Sequence, residues 1–298
     1  MHRKIRGDFD WLDSYSYFVP GVAELLILLV WFIVGVLAGN AVTQLFLKFL
    51  GNYAAVEYGT LVAYPLMFIP AMMYAGIRSR RNSYDRSGIK VDSSHFCCGI
   101  VLCAFAAILS TVALGFCTDA ITAAMPPMPE FLENALKSMT TGNFFLNLLM
   151  VSIFAPVFEE WLCRGMVLRG LLGNRAKPVW AIVISSLVFA AIHANPWQAV
   201  PAFLMGCLFG YVYYRTGSLK LTMLMHCTNN TLALILSRIP SLEDADTWLD
   251  FLPSDLYWTI FTICVFLLFF LVRLFYRIPL EGRFGNCDER PPLFGAAS

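Results

Sequence analysis

Long uncharged, apolar runs alternate with short charged loops along the chain. The uncharged runs cover residues 25–47, 58–77, 96–118, 138–158, 178–214, 221–237 and 256–272. A transmembrane helix needs about 20 mostly apolar residues, so each run is suited to crossing a bilayer. The run 178–214 is too long for one helix, and Pro196 and Pro201 near its middle predict a turn between two helices. The pattern therefore predicts an all-α polytopic membrane protein with about eight transmembrane helices.

Basic residues are concentrated on one side of this predicted array. With the N-terminus placed in the cytoplasm, the cytoplasmic segments hold Arg3, the loop 78–90, Arg169 and Arg215, together with the C-terminal tail. The loop 238–255 on the opposite side is acidic. Membrane proteins place Lys and Arg preferentially in cytoplasmic loops. The charge pattern therefore predicts that both termini are cytoplasmic, which requires an even number of helices.

Composition agrees with an integral membrane protein. Hydrophobic residues make up 58% of the chain and charged residues 14%, whereas a soluble domain has about 25% charged residues. The net charge of +1 gives no reason to expect a nucleic-acid partner. The apolar runs leave no room for a separate soluble domain. Residues 1–298 are therefore predicted to form one polytopic domain whose surroundings are membrane lipid, and the oligomeric state stays open.

Ionisable side chains at the predicted membrane depth are few and clustered. Glu159, Glu160 and Arg164 follow the fourth apolar run, His193 lies near the end of the fifth helix, and His226 lies on the seventh. A charged group at the centre of a bilayer costs about 3 to 17 kcal/mol, depending on the method of measurement. Ionisable residues kept at that depth are therefore candidates for function.

The two adjacent glutamates are expected to have different roles. Glu160 and Arg164 are four residues apart, so they share one face of a helix and can form an ion pair. Glu159 is displaced by about 100° around the same helix and has no obvious cationic partner. We therefore expect Glu160 and Arg164 to be structural and Glu159 to be available for chemistry.

The histidines also have neighbours at helical spacing. His226 and Asn230 are four residues apart and present an imidazole and an amide to one side of a helix. Phe189 precedes His193 by four residues and is expected to form an apolar wall beside it. A carboxylate, two imidazoles and an amide can thus converge from three predicted membrane helices.

This set of groups is compatible with three kinds of role. In a hydrolase, the carboxylate acts as a general base towards water, an imidazole orients that water or binds a metal, and an amide N–H stabilises an oxyanion. In a transporter, the same groups form a proton relay or an ion site. In a third interpretation, they form a structural polar cluster that fixes how the helices pack.

Three motifs, in this order, resemble the signature of the CPBP intramembrane proteases. They are E-E-x-x-x-R at 159–164, F-x-x-x-H at 189–193 and H-x-x-x-N at 226–230. This family, also called Abi, includes type II CAAX prenyl endopeptidases and bacteriocin-processing or bacteriocin-immunity proteins. The match covers residues 156–236 within a family-like core at about 138–237. The resemblance implies an all-α fold with the active site in a cavity between membrane helices.

The resemblance also implies roles for individual residues. Glu159 and His193 are expected to activate water, and His226 and Asn230 are expected to stabilise the oxyanion. Zinc is the alternative, and its ligands would be Glu159, His193 and His226. The chain has no H-E-x-x-H motif of the kind found in soluble zinc peptidases. We therefore favour a mechanism without a metal cofactor.

The implied function is that of an intramembrane endopeptidase of the CAAX type II class, acting on a membrane-associated or lipidated peptide or protein. The main alternative is a non-catalytic membrane regulator or a bacteriocin-immunity protein on the same fold. A transporter fits less well, because matched broken helices in two halves are not apparent. The spacing of 33 residues between His193 and His226 resembles that of bacterial members, which favours a bacterial plasma membrane.

Overall fold

Helices are the regular secondary structure of the described part of the protein. The computed structural model describes residues 10–85, 88–93, 96, 99–239, 247–278 and 280, without the side chains of 138–140. Within these residues there is no strand. The helices are α1 (Val22–Ala54), α2 (Thr60–Asn82), α3 (Ile100–Ala123), α4 (Glu130–Thr140), α5 (Phe144–Gly173), α6 (Pro178–Ala191), α7 (Pro196–Thr216), α8 (Leu219–Leu236), α9 (Trp248–Phe251) and α10 (Ser254–Tyr276). The prediction of an all-α polytopic membrane protein is therefore confirmed.

The eight predicted membrane helices coincide with α1, α2, α3, α5, α6, α7, α8 and α10. By length and composition, four helical stretches of the described residues could cross a membrane: Val22–Asn82, which contains α1 and α2, and the helices α3, α5 and α10. Helix α6 is apolar but has only 14 residues. That α6, α7 and α8 also cross the membrane stays a prediction. The short helices α4 and α9 are not predicted by the hydropathy pattern.

The predicted turn within 178–214 is only partly correct. Helix α6 ends at Ala191, and Pro196 occupies the first turn of α7, where a missing N–H costs nothing. Pro201 lies inside α7 rather than in the turn. A proline inside a membrane helix leaves a carbonyl of the preceding turn without its N–H donor. Such a proline is tolerated because neighbouring helices or local changes of the backbone provide another donor.

Small residues allow α1 and α2 to approach each other closely. The chain leaves the helical conformation at Gly51, which has a φ of 86°, and continues into α2 through a π-helical segment, Ala55–Gly59. The two helices form an antiparallel pair. A Cβ atom on Gly35 would lie 2.0 Å from the carbonyl oxygen of Met67, and one on Gly39 would lie 2.9 Å from that of Ala63. Only glycine fits at such backbone contacts. The G-x-x-x-G spacing thus fixes α2 against α1.

Two apolar clusters flank the polar residues of α5. One cluster joins α1, α2, α5 and the N-terminal segment through side chains such as Leu28, Phe68 and Trp161. The other joins α3, α7, α8 and α10 through side chains such as Ala107, Phe209 and Phe275. Large apolar side chains of α10, among them Phe266, Phe269 and Phe270, are instead exposed. This exposure suits a helix that faces lipid.

Two arginines of the predicted cytoplasmic segments are buried in the structure. Arg169 is fully buried, and its guanidinium donates to backbone carbonyls of Gly165 at 2.7 Å, Ile89 at 2.6 Å and Phe18 at 2.6 Å, with longer contacts to the carbonyls of Tyr15 and Ser16. Carbonyl oxygens from three separate chain segments thus solvate one charge. Arg169 therefore ties α5 to the N-terminal segment and to the loop before α3.

Arg215 binds the end of α10 in a similar way. Its guanidinium donates to the carbonyl oxygens of Phe275, Tyr276 and Ile278, at and just beyond the end of that helix. A cation at this position also interacts favourably with the helix dipole. Nearby, Lys220 at the start of α8 pairs with Asp10 at 2.5 Å. These contacts connect α7 and α8 to both described ends of the chain.

Replacing Arg169 is expected to lower the stability of the folded protein. In Arg169→Met several buried carbonyl oxygens lose their donor, and each unsatisfied polar group costs about 1–3 kcal/mol. The melting temperature of the purified protein should fall markedly. Arg175→Met is the matched control, because Arg175 is exposed just after the end of α5. Equal melting temperatures for the two variants would show that the carbonyl contacts of Arg169 do not contribute to stability.

Candidate active site

Helix α5 is irregular where it carries the two glutamates. A π-helical segment, Leu148–Phe154, precedes the α-helical turn Ala155–Glu160, and a second π-helical segment, Trp161–Leu168, follows it. Segments of π-helix are rare and occur frequently at functional sites. Helical spacing alone does not predict them.

Glu160, Arg164 and His226 form one buried ionic cluster. The side chains of Glu160 and Arg164 have no exposed surface, and Nη1 of Arg164 donates to Oε1 of Glu160 at 2.6 Å. Nδ1 of His226, on α8, lies 3.2 Å from the same oxygen. The carboxylate therefore contacts two groups that can carry positive charge, and it joins α5 to α8.

The charge of Arg164 is further stabilised by α6 and α7. Its Nη2 donates to the carbonyl of Gly206 at 2.9 Å. The guanidinium carbon lies 4.6 Å from the ring centroid of Phe189 and 5.5 Å from that of Phe209, which are cation–π distances. A carboxylate, a carbonyl and two aromatic faces thus replace water around this guanidinium.

Glu159 lies outside this ionic cluster and contacts α2. It is buried, and its Oε1 accepts a hydrogen bond from the hydroxyl of Tyr64. Its Oε2 is buried without a hydrogen-bond partner among the described residues. The two adjacent glutamates therefore face different helices, as their angular separation predicts. Tyr64 is not singled out by sequence reasoning, because it lies in the N-terminal half, where only hydropathy is informative.

His193 is placed where α6 ends. Its Nδ1 lies 2.8 Å from the carbonyl oxygen of Phe189, and since a carbonyl can only accept, Nδ1 carries the hydrogen. A neutral His193 therefore presents Nε2 as an acceptor. The next residue, Ala194, has a φ of 56°, a left-handed conformation that ends the helix and is uncommon outside glycine. Asn195 then donates to the carbonyl of His193 at 3.0 Å and caps α7.

The ring of Phe189 packs between the two imidazoles. Its centroid lies 5.2 Å from that of His193 and 5.3 Å from that of His226, and both contacts are edge-to-face. Phe189 is also buried against Cys163 and Ala202. This residue therefore sets the spacing between the histidines of α6 and α8, which goes beyond the apolar wall expected beside His193.

Asn230 binds the first π-helical segment of α5. Its Nδ2 donates to the carbonyl of Val151 at 2.9 Å, and its Oδ1 accepts from Asn229 at 3.2 Å. In a π-helix this carbonyl would bond to the N–H five residues later, but that residue is Pro156, which has none. The amide of Asn230 supplies the hydrogen bond that the carbonyl of Val151 would otherwise lack. One amide hydrogen of Asn230 is thus already engaged, and one remains for another acceptor.

The predicted residues are thus gathered on α5, α6 and α8, but they do not all touch. Glu160, Arg164, Phe189, His193 and His226 form a contiguous cluster. Among the described residues, neither imidazole hydrogen-bonds to Glu159. No group of three His, Cys, Asp or Glu side chains in the described part of the chain could hold a metal ion. The alternative ligand set of Glu159, His193 and His226 is therefore not assembled in this structure.

The same region matches a known protein family. Residues 141–232 match the family model described as type II CAAX prenyl endopeptidase Rce1-like. The resemblance drawn from the three motifs is therefore confirmed for this segment, which holds Glu159, His193, His226 and Asn230. No solved structure matches the chain significantly.

Two bacterial relatives are each similar to part of the chain. An uncharacterised 24.3 kDa protein of Escherichia coli is 31% identical over 113 residues, which cover 37% of this chain and 52% of that protein. The membrane-embedded CAAX protease MroQ of Staphylococcus aureus is 32% identical over 91 residues, which cover 28% of this chain and 36% of MroQ. The chain thus spans about half the length of the first relative and about a third of the second.

The buried Glu160–Arg164 pair gives a direct test of the structural assignment. Glu160→Gln leaves a buried guanidinium short of a counterion, and breaking such a pair costs roughly 3–5 kcal/mol. Arg164→Met should be similarly harmful. The double change should recover part of the lost stability, because neither charge is then left alone. Melting temperatures of the three variants in detergent check this expectation.

The exposed pair Glu133–Lys137 on α4 has the same i, i+4 spacing and serves as the control. Glu133→Gln should change the melting temperature little, since surface ion pairs contribute at most about 1 kcal/mol. If Glu160→Gln is as stable as this control, Glu160 and Arg164 do not depend on each other.

Proposed function

We propose that this protein is an intramembrane endopeptidase that hydrolyses a peptide bond in a membrane-associated or lipidated peptide or protein. The observation that supports it most is the position of Glu159, which lies outside the cluster of Glu160, Arg164 and His226 and whose Oε2 is buried without a hydrogen-bond partner among the described residues. A carboxylate oxygen that is not paired with a cation can take a proton from water. The match of residues 141–232 to the Rce1-like family model and the similarity to the CAAX protease MroQ support the same class of reaction.

In the proposed reaction Glu159 acts as the general base. Its Oε2 removes a proton from water, and the resulting hydroxide attacks the carbonyl carbon of the scissile bond. Nε2 of His193, fixed as an acceptor by the bond from Nδ1 to the carbonyl of Phe189, orients the second hydrogen of that water. Glu159 then returns the proton to the leaving nitrogen as the C–N bond breaks, so the carboxylate is regenerated.

His226 and Asn230 are proposed to stabilise the oxyanion of the tetrahedral intermediate. Asn230 retains one amide hydrogen after binding the carbonyl of Val151. His226 has Nδ1 directed at Glu160, so an imidazolium at this position would be balanced by that carboxylate and would donate through Nε2. Each donor to a developing oxyanion is worth about 10²–10³-fold in rate.

The proposed mechanism uses no metal cofactor. A zinc site needs three protein ligands that converge with one position left for water. The Nδ1 bonds of His193 and His226 leave Nε2 of each ring able to bind a metal. The described residues, however, include no group of three His, Cys, Asp or Glu side chains that could hold one. We therefore propose that water is activated by Glu159 without a metal.

The substrate class follows from where the proposed base lies. Glu159 is on α5, one of the helices apolar enough to cross a membrane, so a substrate must reach it from within or along the bilayer. A peptide with a lipid anchor or an apolar membrane segment meets this requirement. We propose a location in the bacterial plasma membrane, in keeping with the two bacterial relatives.

Glu159→Gln should abolish most of the activity without loss of fold. The change keeps the size of the side chain but removes the base, so kcat should fall by about 10²-fold or more. Comparing the peptides of membranes that carry the unsubstituted protein or Glu159→Gln identifies the cleavage site, from which a quenched reporter peptide is built for kinetics. Glu130→Gln, at an exposed position on α4, is the matched control. Unchanged membrane peptides would refute the proposed function.

Chelators should leave hydrolysis of the reporter peptide unchanged. Because the proposed base acts on water directly, EDTA and phenanthroline remove nothing that the reaction uses. Metal analysis of the purified protein should accordingly show less than one zinc per chain. Loss of activity in phenanthroline, with recovery on adding zinc, would instead make the histidines ligands.

A further inference from the structure

One hydroxyl group from the N-terminal half reaches the proposed base. Tyr64 lies on α2, outside the Rce1-like segment 141–232, and donates its hydrogen bond to Oε1 of Glu159. Among the described residues no other side chain bonds to this carboxylate. The state of Glu159 is therefore determined by a helix that the three motifs do not include.

Aromatic packing holds Tyr64 in this position. Phe68, one helical turn further along α2, stacks on Phe158 with ring centroids 5.4 Å apart and an angle of 18° between the rings. Phe158 directly precedes Glu159 in the sequence. Tyr64 also packs on Phe68 at 5.7 Å, and Phe68 packs on Phe32 of α1 at 5.1 Å. The same turns of α2 and α5 are thus fixed by an apolar stack beside the hydrogen bond.

The hydrogen bond makes the two oxygens of Glu159 different. Oε1 is occupied by the tyrosine, whereas Oε2 is buried with no partner in the described residues. A buried carboxylate oxygen without a donor is costly, and such exceptions need an explanation. A water that donates to Oε2 would supply one, and it would stand where a general base needs it.

We infer that Tyr64 is a positioning residue for the base: it holds Oε1 and thereby selects Oε2 as the oxygen that takes the proton from water. This inference rests on the proposed function. Tyr64 does not contact the substrate in this account, and it acts only through Glu159. A purely structural role, in which the hydroxyl merely joins α2 to α5, is the competing explanation.

Tyr64→Phe removes the hydroxyl and keeps the aromatic stack. Positioning predicts that kcat on the reporter peptide falls by about tenfold to a hundredfold, the scale on which a misplaced catalytic group slows a reaction. KM should stay unchanged, because Tyr64 does not bind the substrate. Tyr74→Phe is the matched control: Tyr74 is on the same helix, packs edge-on against Phe18 at 5.7 Å, and has no hydrogen bond from its hydroxyl among the described residues.

A second measurement does not depend on peptidase activity. Dicyclohexylcarbodiimide is an apolar reagent that modifies carboxyl groups inside membrane proteins, and mass spectrometry locates the adduct. Tyr64→Phe should be labelled at Glu159 faster than the unsubstituted protein, because Oε1 loses its partner and the side chain gains freedom to reach the reagent. Tyr74→Phe should be labelled at the unsubstituted rate.

The two measurements together separate the explanations. Faster labelling with lower kcat at constant KM supports the positioning role. Unchanged labelling would show that Tyr64 does not bond to Glu159. Faster labelling with an unchanged kcat would show that the hydroxyl of Tyr64 only joins α2 to α5 and does not position the base. A protein that hydrolyses no peptide even when unsubstituted refutes the proposed function and with it the positioning role, while the labelling rates still report whether Tyr64 binds Glu159.

Discussion

The burial of one ion pair determines how the helices around the candidate site are arranged. Glu160 and Arg164 are both fully buried on α5, and neither charge is tolerable without the other. Their remaining contacts are with the carbonyl of Gly206 on α7, the ring of Phe189 on α6 and the imidazole of His226 on α8. Three helices are thus positioned by the need to solvate two charges, which fixes both histidines relative to α5.

This arrangement explains why two glutamates stand next to each other. A rotation of about 100° separates consecutive residues of a helix, so one carboxylate faces α6, α7 and α8 while its neighbour faces α2. The first is bonded through one oxygen to Arg164 and His226 and serves packing. The second is bonded only to a tyrosine hydroxyl and keeps one oxygen free. Stability and proposed reactivity are therefore assigned to adjacent residues.

Much of the fold can be predicted from the sequence, because apolar runs of membrane length become helices whatever their detailed packing. The pairing of Glu160 with Arg164 is also predictable, since it depends only on i, i+4 spacing. The π-helical segments are not, because they arise from tertiary contacts such as that between Asn230 and the carbonyl of Val151. Tyr64 escapes prediction for a similar reason: its partner is 95 residues away, and hydropathy carries no information on such pairs.

The charge pattern of the sequence does not reveal that Arg169 is buried, because a basic residue near a helix end need not be in water. Its guanidinium, together with Arg215 and Lys220, binds the segment at residues 10–18, the loop at Ile89 and the end of α10. These contacts place the first and last described parts of the chain at one end of the bundle. The folded structure itself therefore determines which chain segments share a side of the membrane. The compartment that receives the end of α5 also receives the segment at 10–18 and the end of α10. Inserting one helix in the opposite orientation would leave a buried arginine without its carbonyl partners.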